Sequence, residues 1–288
     1  MKQFISRFDN FARSQSSLAI LALCLIAAIS AACRLGNYFP SGNPSVSNVA
    51  PANVNNGTAN QMTSATSNSA AAGFCQLAYF PIGDNLNHKY RITYQSGGLA
   101  PHEYTESFRN IADDSFTLHL QFSDVQVDNN WRCTKEGLLA TQFNDNSVKT
   151  NNGVDAKIET IRSEGITLPP DSRWRAGEQW TTDYDVKETM NLPNSAMHPT
   201  GEGNIKLAGE IVGEESVTVP AGTFQAMKLR IIQKINLTMK INGAAMTVPQ
   251  IPFETTAWYA KNIGMVKSVS TSNGSTVGTT ELLSTSER

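Results

Sequence analysis

The sequence predicts an all-β protein whose long antiparallel strands form a half-open barrel or a two-layer sandwich, after a signal segment and a disordered linker. From Phe74 onward apolar and polar residues alternate with a period of two, which is typical of strands with one buried face. Asn-Gly pairs separate several candidate strands, and this dipeptide favours the tight turns of antiparallel hairpins. A long twisted sheet must cover its apolar face, and both architectures achieve this. The Asn-Gly pairs are Asn152-Gly153, Asn242-Gly243 and Asn273-Gly274.

The clearest strand is Met227–Ile241. Its apolar residues share one parity, while lysines, an arginine, an asparagine and a threonine occupy the other. One face is therefore expected to be buried and the other exposed. Asn242-Gly243 follows at once, and Ala244–Val248 offers a return strand, so this segment predicts a hairpin. The apolar residues are Met227, Leu229, Ile231, Ile235, Leu237, Met239 and Ile241.

A second alternating segment covers Ser115–Phe122. Its apolar parity then shifts to Val125 and Val127, which predicts a β-bulge near Ser123-Asp124. The remaining predicted strands are Lys89–Tyr94, Glu103–Asn110, Leu138–Phe143, Lys157–Arg162, Gln179–Thr189, Asn204–Val212, Glu254–Tyr259, Met265–Thr271 and Ser275–Leu283.

The N-terminus has the order of an export signal. Residues 1–17 are polar and carry three basic residues, and Leu18–Ala32 is an uncharged apolar stretch that ends in small residues. The stretch is shorter than the ~20 residues that a membrane-spanning helix usually needs. The sequence therefore predicts a cleaved signal peptide over residues 1–32.

The segment Ile29-Ser30-Ala31-Ala32-Cys33 resembles the lipobox of bacterial lipoproteins. In that family the Cys thiol receives diacylglycerol and becomes the mature N-terminus, which implies lipidation of Cys33. The family prefers a larger apolar residue where this chain has Ser30. The alternatives are ordinary signal-peptidase cleavage, which leaves Cys33 as a free thiol, and an uncleaved signal anchor. Arg34 stands where many inner-membrane lipoproteins carry Asp, so the resemblance implies an exported, lipid-anchored protein of the cell envelope, at the outer membrane or periplasmic face.

Residues 33–73 are expected to form the lipidated Cys and a flexible low-complexity linker. Residues 40–73 contain no charged and no aromatic residue, and Ser, Asn, Ala, Thr, Gly and Pro dominate. Such a segment cannot bury enough apolar surface to order itself. The antiparallel β-domain is therefore predicted to cover residues 74–288.

The cysteines indicate an oxidising compartment. Cys24 lies inside the signal and Cys33 at its end, which leaves Cys75 and Cys133 in the mature domain. Two cysteines in an exported domain predict one disulfide. Two buried free thiols are the alternative. Neither cysteine has a second Cys or a His at ligand spacing, so a metal site is disfavoured.

Three segments point to a family. Val217–Phe224, the strand through Leu229 and Trp258–Lys267 together resemble a signature of exported bacterial β-proteins of uncharacterised function, known mainly as hypothetical lipoproteins. The resemblance covers roughly residues 75–285. Some members are similar to the Lol-type lipoprotein carriers, whose half-barrel holds acyl chains. The resemblance supplies no residue with a known chemical role.

Composition and motifs exclude several classes of function. The chain carries 23 Lys and Arg against 25 Asp and Glu, with only 17% charged residues, so it lacks the basic surface that nucleic-acid binding requires. None of the four His has a second His or a carboxylate at ligand spacing. The chain has no G-x-S-x-G elbow and no Gly-rich phosphate loop. We therefore expect no enzyme, no cofactor and no metal. An envelope hydrolase would need convergent carboxylates or a His–carboxylate pair in a pocket.

The sequence predicts a non-catalytic cell-envelope lipoprotein that acts as a binding or assembly component. The alternative is a carrier or chaperone for an apolar ligand, such as a lipid or the acyl chains of lipoproteins. A carrier must keep an apolar cavity, whereas a scaffold has a packed interior and an exposed patch for a protein partner. The expected partners are the membrane, through the N-terminal lipid, and an apolar ligand or an envelope protein. The candidate ligand-binding residues are Met227, Leu229, Leu237, Met239, Met246, Phe253 and Met265.

Overall fold

The structure is a computed structural model that describes only part of the chain. The predicted signal peptide and nearly all of the predicted linker lie outside the described residues, as do the Asn152-Gly153 and Asn242-Gly243 turns. Within the described ranges, no helix is long and apolar enough to cross a membrane. The described residues are 73–95, 100–123, 125–143, 145, 147–149, 155–192, 198–241, 244–247, 250 and 252–287.

The described residues form one 14-stranded antiparallel sheet, with two short 3-10 helices at Gly73–Cys75 and Asp171–Arg173. The all-β prediction is therefore confirmed. The strands are β1 (Leu86–Tyr94), β2 (His102–Arg109), β3 (Ser115–Gln121), β4 (Gln126–Thr134), β5 (Gly137–Ala140), β6 (Ser147–Lys149), β7 (Asp155–Gly165), β8 (Gln179–Asn191), β9 (Thr200–Val219), β10 (Gly222–Ile241), β11 (Ala244–Thr247), β12 (Phe253–Ala260), β13 (Gly264–Ser272) and β14 (Ser275–Glu287).

The sheet is an up-and-down meander. Its order is β5-β4-β3-β2-β1-β14-β13-β12-β10-β9-β8-β7-β6, so most neighbours in space are also neighbours in sequence. The pairing of β1 with β14 joins the two ends of the domain. Strand β11 lies off this path and pairs with β10.

The two ends of the sheet approach each other along a seam. Leu138 of β5 pairs with Leu168, just beyond β7, through backbone hydrogen bonds in both directions. Further along the seam, side chains replace the strand ladder. The hydroxyl of Thr167 accepts from the Ala140 N–H at 2.9 Å, and that of Thr160 accepts from the Phe143 N–H at 2.7 Å. The sheet is thus nearly closed and barrel-like. Of the two predicted architectures, the structure shows the barrel and not the two-layer sandwich.

The predicted bulge near Ser123-Asp124 is wrong, because the chain reverses between Phe122 and Val125. Strands β3 and β4 are antiparallel neighbours with Gln121 opposite Gln126, and the Phe122 N–H donates to the Val125 carbonyl at 2.9 Å. A shift of apolar parity follows from a tight turn as readily as from a bulge, so the sequence pattern does not separate the two.

Strands β9 and β10 are longer than predicted and form one hairpin of 20-residue strands. The turn is Pro220-Ala221, with Val219 opposite Gly222, whose φ of 139° is unfavourable for other residues. The Val217–Phe224 signature is therefore the tip of this hairpin. The tip packs back onto the sheet, because Val217 and Val219 join the apolar cluster around Tyr90, and the Ala221 N–H donates to the Leu282 carbonyl at 3.1 Å.

The N-terminal segment, residues 75–82, packs between distant parts of the sheet. Phe80 contacts the rings of Phe108 and Trp131 on β2 and β4. Tyr79 stacks on Trp174, which in turn contacts Tyr259 on β12. The segment therefore fills space between strands that do not pair with each other.

The predicted disulfide between Cys75 and Cys133 is present and ties this segment to β4. Both cysteines are buried, at 0% and 2% exposure. The two residues are 58 positions apart, and closing a loop of that length in the unfolded chain removes entropy equivalent to about 4 kcal/mol.

We expect the Cys75→Ser/Cys133→Ser double variant to lose about 2–4 kcal/mol of unfolding free energy, measured by urea denaturation. Dithiothreitol should lower the stability of the native chain by a similar amount and leave the double variant unchanged. Equal sensitivity of both proteins to the reductant would contradict a stabilising role for this bond.

Candidate functional site

Every second side chain of β8 points to the inner, buried face of the sheet. These are Trp180, Thr182, Tyr184, Val186, Glu188 and Met190, and each is at most 7% exposed. The strand pairing extends this face to its neighbours. Glu188 lies opposite Ile158 on β7 and Gly201 on β9, and Gly201 lies opposite Met239 on β10.

This row defines the Glu188 compartment, which consists of Ile158, Glu188, Met190, Gly201 and Met239. The four side chains are 1–4% exposed, and apart from the carboxyl group they are apolar. Gly201 makes the compartment possible. A Cβ at this position would stand 2.6 Å from the Met239 sulfur and 3.5 Å from Glu188 Oε2, so the missing side chain leaves the room that these two groups occupy.

The Glu188 carboxyl group has an unusual environment. Both of its oxygens are buried and neither has a hydrogen-bond partner among the described residues. Burial in this apolar surrounding disfavours the charged form and raises the pKa of Glu188 to about 7. Burial also raises the pKa of Tyr184, which shares the inner face of β8, to about 12. Asp145 accepts from the Thr160 N–H at 2.8 Å.

This pKa has a consequence for stability. Folded Glu188 keeps its proton to a higher pH than it does in the unfolded chain, where the ordinary value is 4.5. The free energy of unfolding should therefore decrease as the pH rises from about 4.5 through about 7. A shift of this size corresponds to at most about 3 kcal/mol.

We expect Glu188→Gln to remove this pH dependence. Relative to the native chain, the variant should gain up to about 3 kcal/mol of unfolding free energy between pH 4.5 and pH 8.5. Urea denaturation at both pH values measures the difference. Glu202→Gln on the exposed face of β9 is the matched control and should follow the native chain. Parallel pH profiles for the native chain and Glu188→Gln would show that the folded carboxyl group titrates normally.

A second buried polar group lies on the inner face of β1 and β2. His88 is directly opposite Glu106, with Nδ1 3.3 Å from Oε1, and the residues are 1% and 8% exposed. Tyr90, Tyr104 and Tyr259 surround the pair. Their pKa values are raised, first by burial and then by the Glu106 charge.

A carboxylate on Nδ1 is the arrangement that orients a histidine to act as a base. The remaining nitrogen of His88, Nε2, is buried and has no hydrogen-bond partner in the described part of the chain. No hydroxyl or thiol of the described residues is thus placed to be activated by it. The pair is a His–carboxylate arrangement without a nucleophile.

A groove of about 380 Å³ opens on the outer face of β8, β9 and β10. Ala208 and Ile232 lie opposite each other on β9 and β10 and supply apolar surface. Beside them, the charged residues Glu210 and Arg230 also lie opposite each other. Arg230 also donates to Glu254 at 2.8 Å. The other lining residues are Gln179, Trp180, Thr181 and Gly209.

The candidate ligand-binding residues from the sequence do not form one surface. Leu237 and Met239 share an apolar cluster with Ile158, beside Glu188. Met227 and Leu229 belong to another cluster, which packs on the N-terminal segment. Met265 packs partly buried beside the hairpin tip, Phe253 is buried, and Met246 on β11 is 44% exposed. Their role in binding stays a prediction.

Sequence reasoning missed both Glu188 and the His88–Glu106 pair. A signal was present for each. Glu188 has the same parity as Trp180 and Tyr184, and His88 has the same parity as Tyr90 and Ile92. A titratable residue on the apolar parity of a strand is the pattern that would have found them. Among the residues with assigned positions, no group of three or more His, Cys, Asp or Glu is arranged to hold a metal ion.

Fold and site together define a β-domain with one nearly closed sheet and isolated polar groups on its buried face. Residues 140–282, about half of the chain, match the DUF3108-like family. The matched residues contain all three signature segments, namely Val217–Phe224, the strand through Leu229 and Trp258–Lys267. No curated protein matches the chain significantly.

Three solved structures are similar to the chain. A proposed exported protein with a YmcC-like fold from Bacteroides fragilis NCTC 9343 is 14% identical, with a TM-score of 0.45 over 74% of this chain and 100% of that one. A proposed lipoprotein from Parabacteroides distasonis ATCC 8503 is 14% identical, with a TM-score of 0.35 over 73% and 99%. The hypothetical lipoprotein YmcC from Escherichia coli K12 is 11% identical, with a TM-score of 0.33 over 68% and 82%. None of the three is described as a Lol-type carrier, and that relation stays a prediction.

Proposed function

We propose that the chain is a non-catalytic lipoprotein of the cell envelope that acts as a binding or assembly component. Its N-terminal segment has the order of an export signal, and Cys33 stands at the lipobox position. The Cys75–Cys133 disulfide is compatible with the oxidising compartment to which such a signal leads.

The observation that supports a binding role is the groove on the outer face of the sheet. The N-terminal segment and the hairpin tip fill much of the space between the strands, and they contribute to two large apolar clusters. The groove beside Arg230 and Ile232, in contrast, opens outward and combines apolar and charged lining. A mixed surface of this kind suits a protein partner better than an acyl chain.

The His88–Glu106 pair supports the non-catalytic proposal. A hydrolase of the triad type needs a nucleophile within hydrogen-bond reach of the histidine and an open site for the substrate. His88 is 1% exposed, and its Nε2 has no hydroxyl or thiol partner in the regions that the structure describes.

An apolar-ligand carrier is the second candidate function. The Glu188 compartment favours it, because Met190 and Met239 are flexible side chains that adapt to a bound apolar group. This function requires that the compartment open to admit the ligand.

Lipidation is tested on the protein expressed in its bacterial host. Mass spectrometry of the mature chain should show an N-terminal Cys33 that carries diacylglycerol, and the protein should fractionate with membranes. The Cys33→Ala variant should lose both the modification and the membrane association, and a substitution of Cys24 within the signal should lose neither. An intact N-terminus or an unmodified Cys33 would overturn the lipoprotein part of the proposal.

The binding role of the groove is tested with a photo-reactive amino acid in place of Ile232. The same amino acid in place of Lys206, which lies on the outer face but outside the groove, is the control. Irradiation of intact cells should give a discrete protein adduct from position 232 and none from position 206. The absence of an adduct at 232, or the same adducts at both positions, would argue against a partner in this groove.

A further inference from the structure

We propose that the Glu188 compartment binds an amphipathic amine, in which an apolar body occupies the methionine side and an ammonium head donates to the Glu188 carboxylate. This inference goes beyond the envelope role, because a protein that docks partners on its outer face needs no ligand on its inner face. It also names the chemical class that a carrier function would require.

The first argument is the unsatisfied carboxyl group. Glu188 is 1% exposed, and both of its oxygens lack a hydrogen-bond partner among the described residues. A buried carboxyl group in this state is strongly unfavourable unless it binds a proton or a donor. An ammonium group has three N–H donors and a positive charge, so it satisfies both oxygens at once.

The second argument is the lining. Ile158 lies opposite Glu188 on β7, Met239 lies opposite Gly201, and Met190 is the next inward residue on β8. All three are buried and apolar, and the two methionines are unbranched and adaptable. Gly201 leaves out a side chain at the centre of the row, and the atoms nearest to the position of its missing Cβ belong to the Met239 thioether and to Glu188. A ligand would enter by displacing the Met239 side chain, which is flexible and has no backbone hydrogen bond to lose.

The third argument excludes other head groups. A carboxylate or phosphate head that carries no ammonium group would be repelled by ionised Glu188, and the described inner face of β7 to β10 offers no cation to compensate. A metal ion would need further ligands, and the described residues contain no group of three His, Cys, Asp or Glu at ligand distance. A neutral hydroxyl head donates only one hydrogen bond. The ammonium head is the one that matches the charge and the number of acceptors.

The binding should depend on pH. An alkylammonium group, like a lysine side chain, stays protonated up to a pH of about 10. Glu188 must be ionised to attract it, so binding should weaken as the pH falls and the carboxylate takes up a proton. Other titratable groups in this part of the sheet are Tyr184 on the inner face of β8 and Asp145, which accepts from Thr160 on the seam. Tyr184 stays neutral in this range, because burial raises its pKa to about 12.

The test uses the full chain in lipid nanodiscs, labelled with ¹³C at the methionine methyl groups. Octylammonium, octanol and octanoate share one alkyl body and differ only in the head group. Methyl resonances of Met190 and Met239, assigned with Met190→Leu and Met239→Leu, report occupancy at the site itself. Exposed Met246 reports non-specific contact.

We expect octylammonium at pH 8.5 to shift the Met190 and Met239 resonances saturably, with an affinity at least 10-fold higher than that of octanol. Octanoate should bind more weakly still. At pH 5.5 the preference for octylammonium should fall by about 10-fold. Glu188→Gln should bind octylammonium no better than octanol, and the outer-face control Glu202→Gln should behave as the native chain does.

Several results would overturn the inference. They are equal affinities for the three compounds, an unchanged preference in Glu188→Gln, and shifts that appear at Met246 but not at Met190 and Met239. A folded native chain whose Met190 and Met239 resonances do not respond to octylammonium would also overturn it, since Glu188 would then be a protonated acid that binds nothing. None of these results bears on lipidation or on the groove.

A single-chain amine and an aminophospholipid carry the same head chemistry. Dihexanoyl phosphatidylethanolamine has N–H donors, whereas the matched phosphatidylcholine has none. Displacement of octylammonium by the first and not by the second would assign the site to a lipid head group. If neither displaces it, the site belongs to single-chain amines.

Discussion

Closure of a single long sheet is the constraint on which the rest of this structure depends. In the described part of the chain, thirteen strands follow one another along the path of the sheet, each hydrogen-bonded to the next, and the strand ladder is interrupted where β5 meets the segment after β7. There the Leu138–Leu168 pair and the hydroxyls of Thr160 and Thr167 satisfy the edge. Without these bonds both edges would be open to pairing with another chain. The inner face, with its packed clusters and its isolated polar groups, exists only because the sheet curls until these edges meet.

A sheet of this size encloses more space than its own side chains fill, and the chain supplies the missing volume from two other segments. The N-terminal segment brings Phe80 against Phe108 and Trp131, and the disulfide holds it there. The hairpin tip adds Val217 and Val219. Both segments contribute apolar packing and no reactive group. This explains why the Val217–Phe224 signature contains a turn and apolar residues but no group with chemical reactivity.

The exceptions to this filling are polar. Glu188 and His88 both lie on the inner face with atoms that no described residue satisfies, yet their surroundings differ. His88 has the Glu106 carboxylate as a partner for Nδ1, and three tyrosines lie around the pair. Glu188 lies opposite Ile158 and Gly201, with Met239 beyond Gly201, and none of these residues offers its carboxyl group a side-chain donor. The difference makes Glu188 the inner-face group whose properties depend most on what else enters the site.

The sequence by itself predicted the β class, the approximate positions of most strands and the disulfide, because alternation with a period of two, turn residues and cysteine count are local signals. The alternation in the sequence also places Glu188 and His88 on the buried face. Because these residue types are usually exposed, the alternation was not read in this way. Only the tertiary structure decided that the sheet closes at Leu138 and Leu168, that the chain reverses between β3 and β4, and that the predicted methionine surface is divided among separate clusters. The physical reason is the separation along the chain of the residues that interact. Strand formation depends on near neighbours, whereas closure and the grouping of inward side chains depend on contacts between residues far apart in the chain.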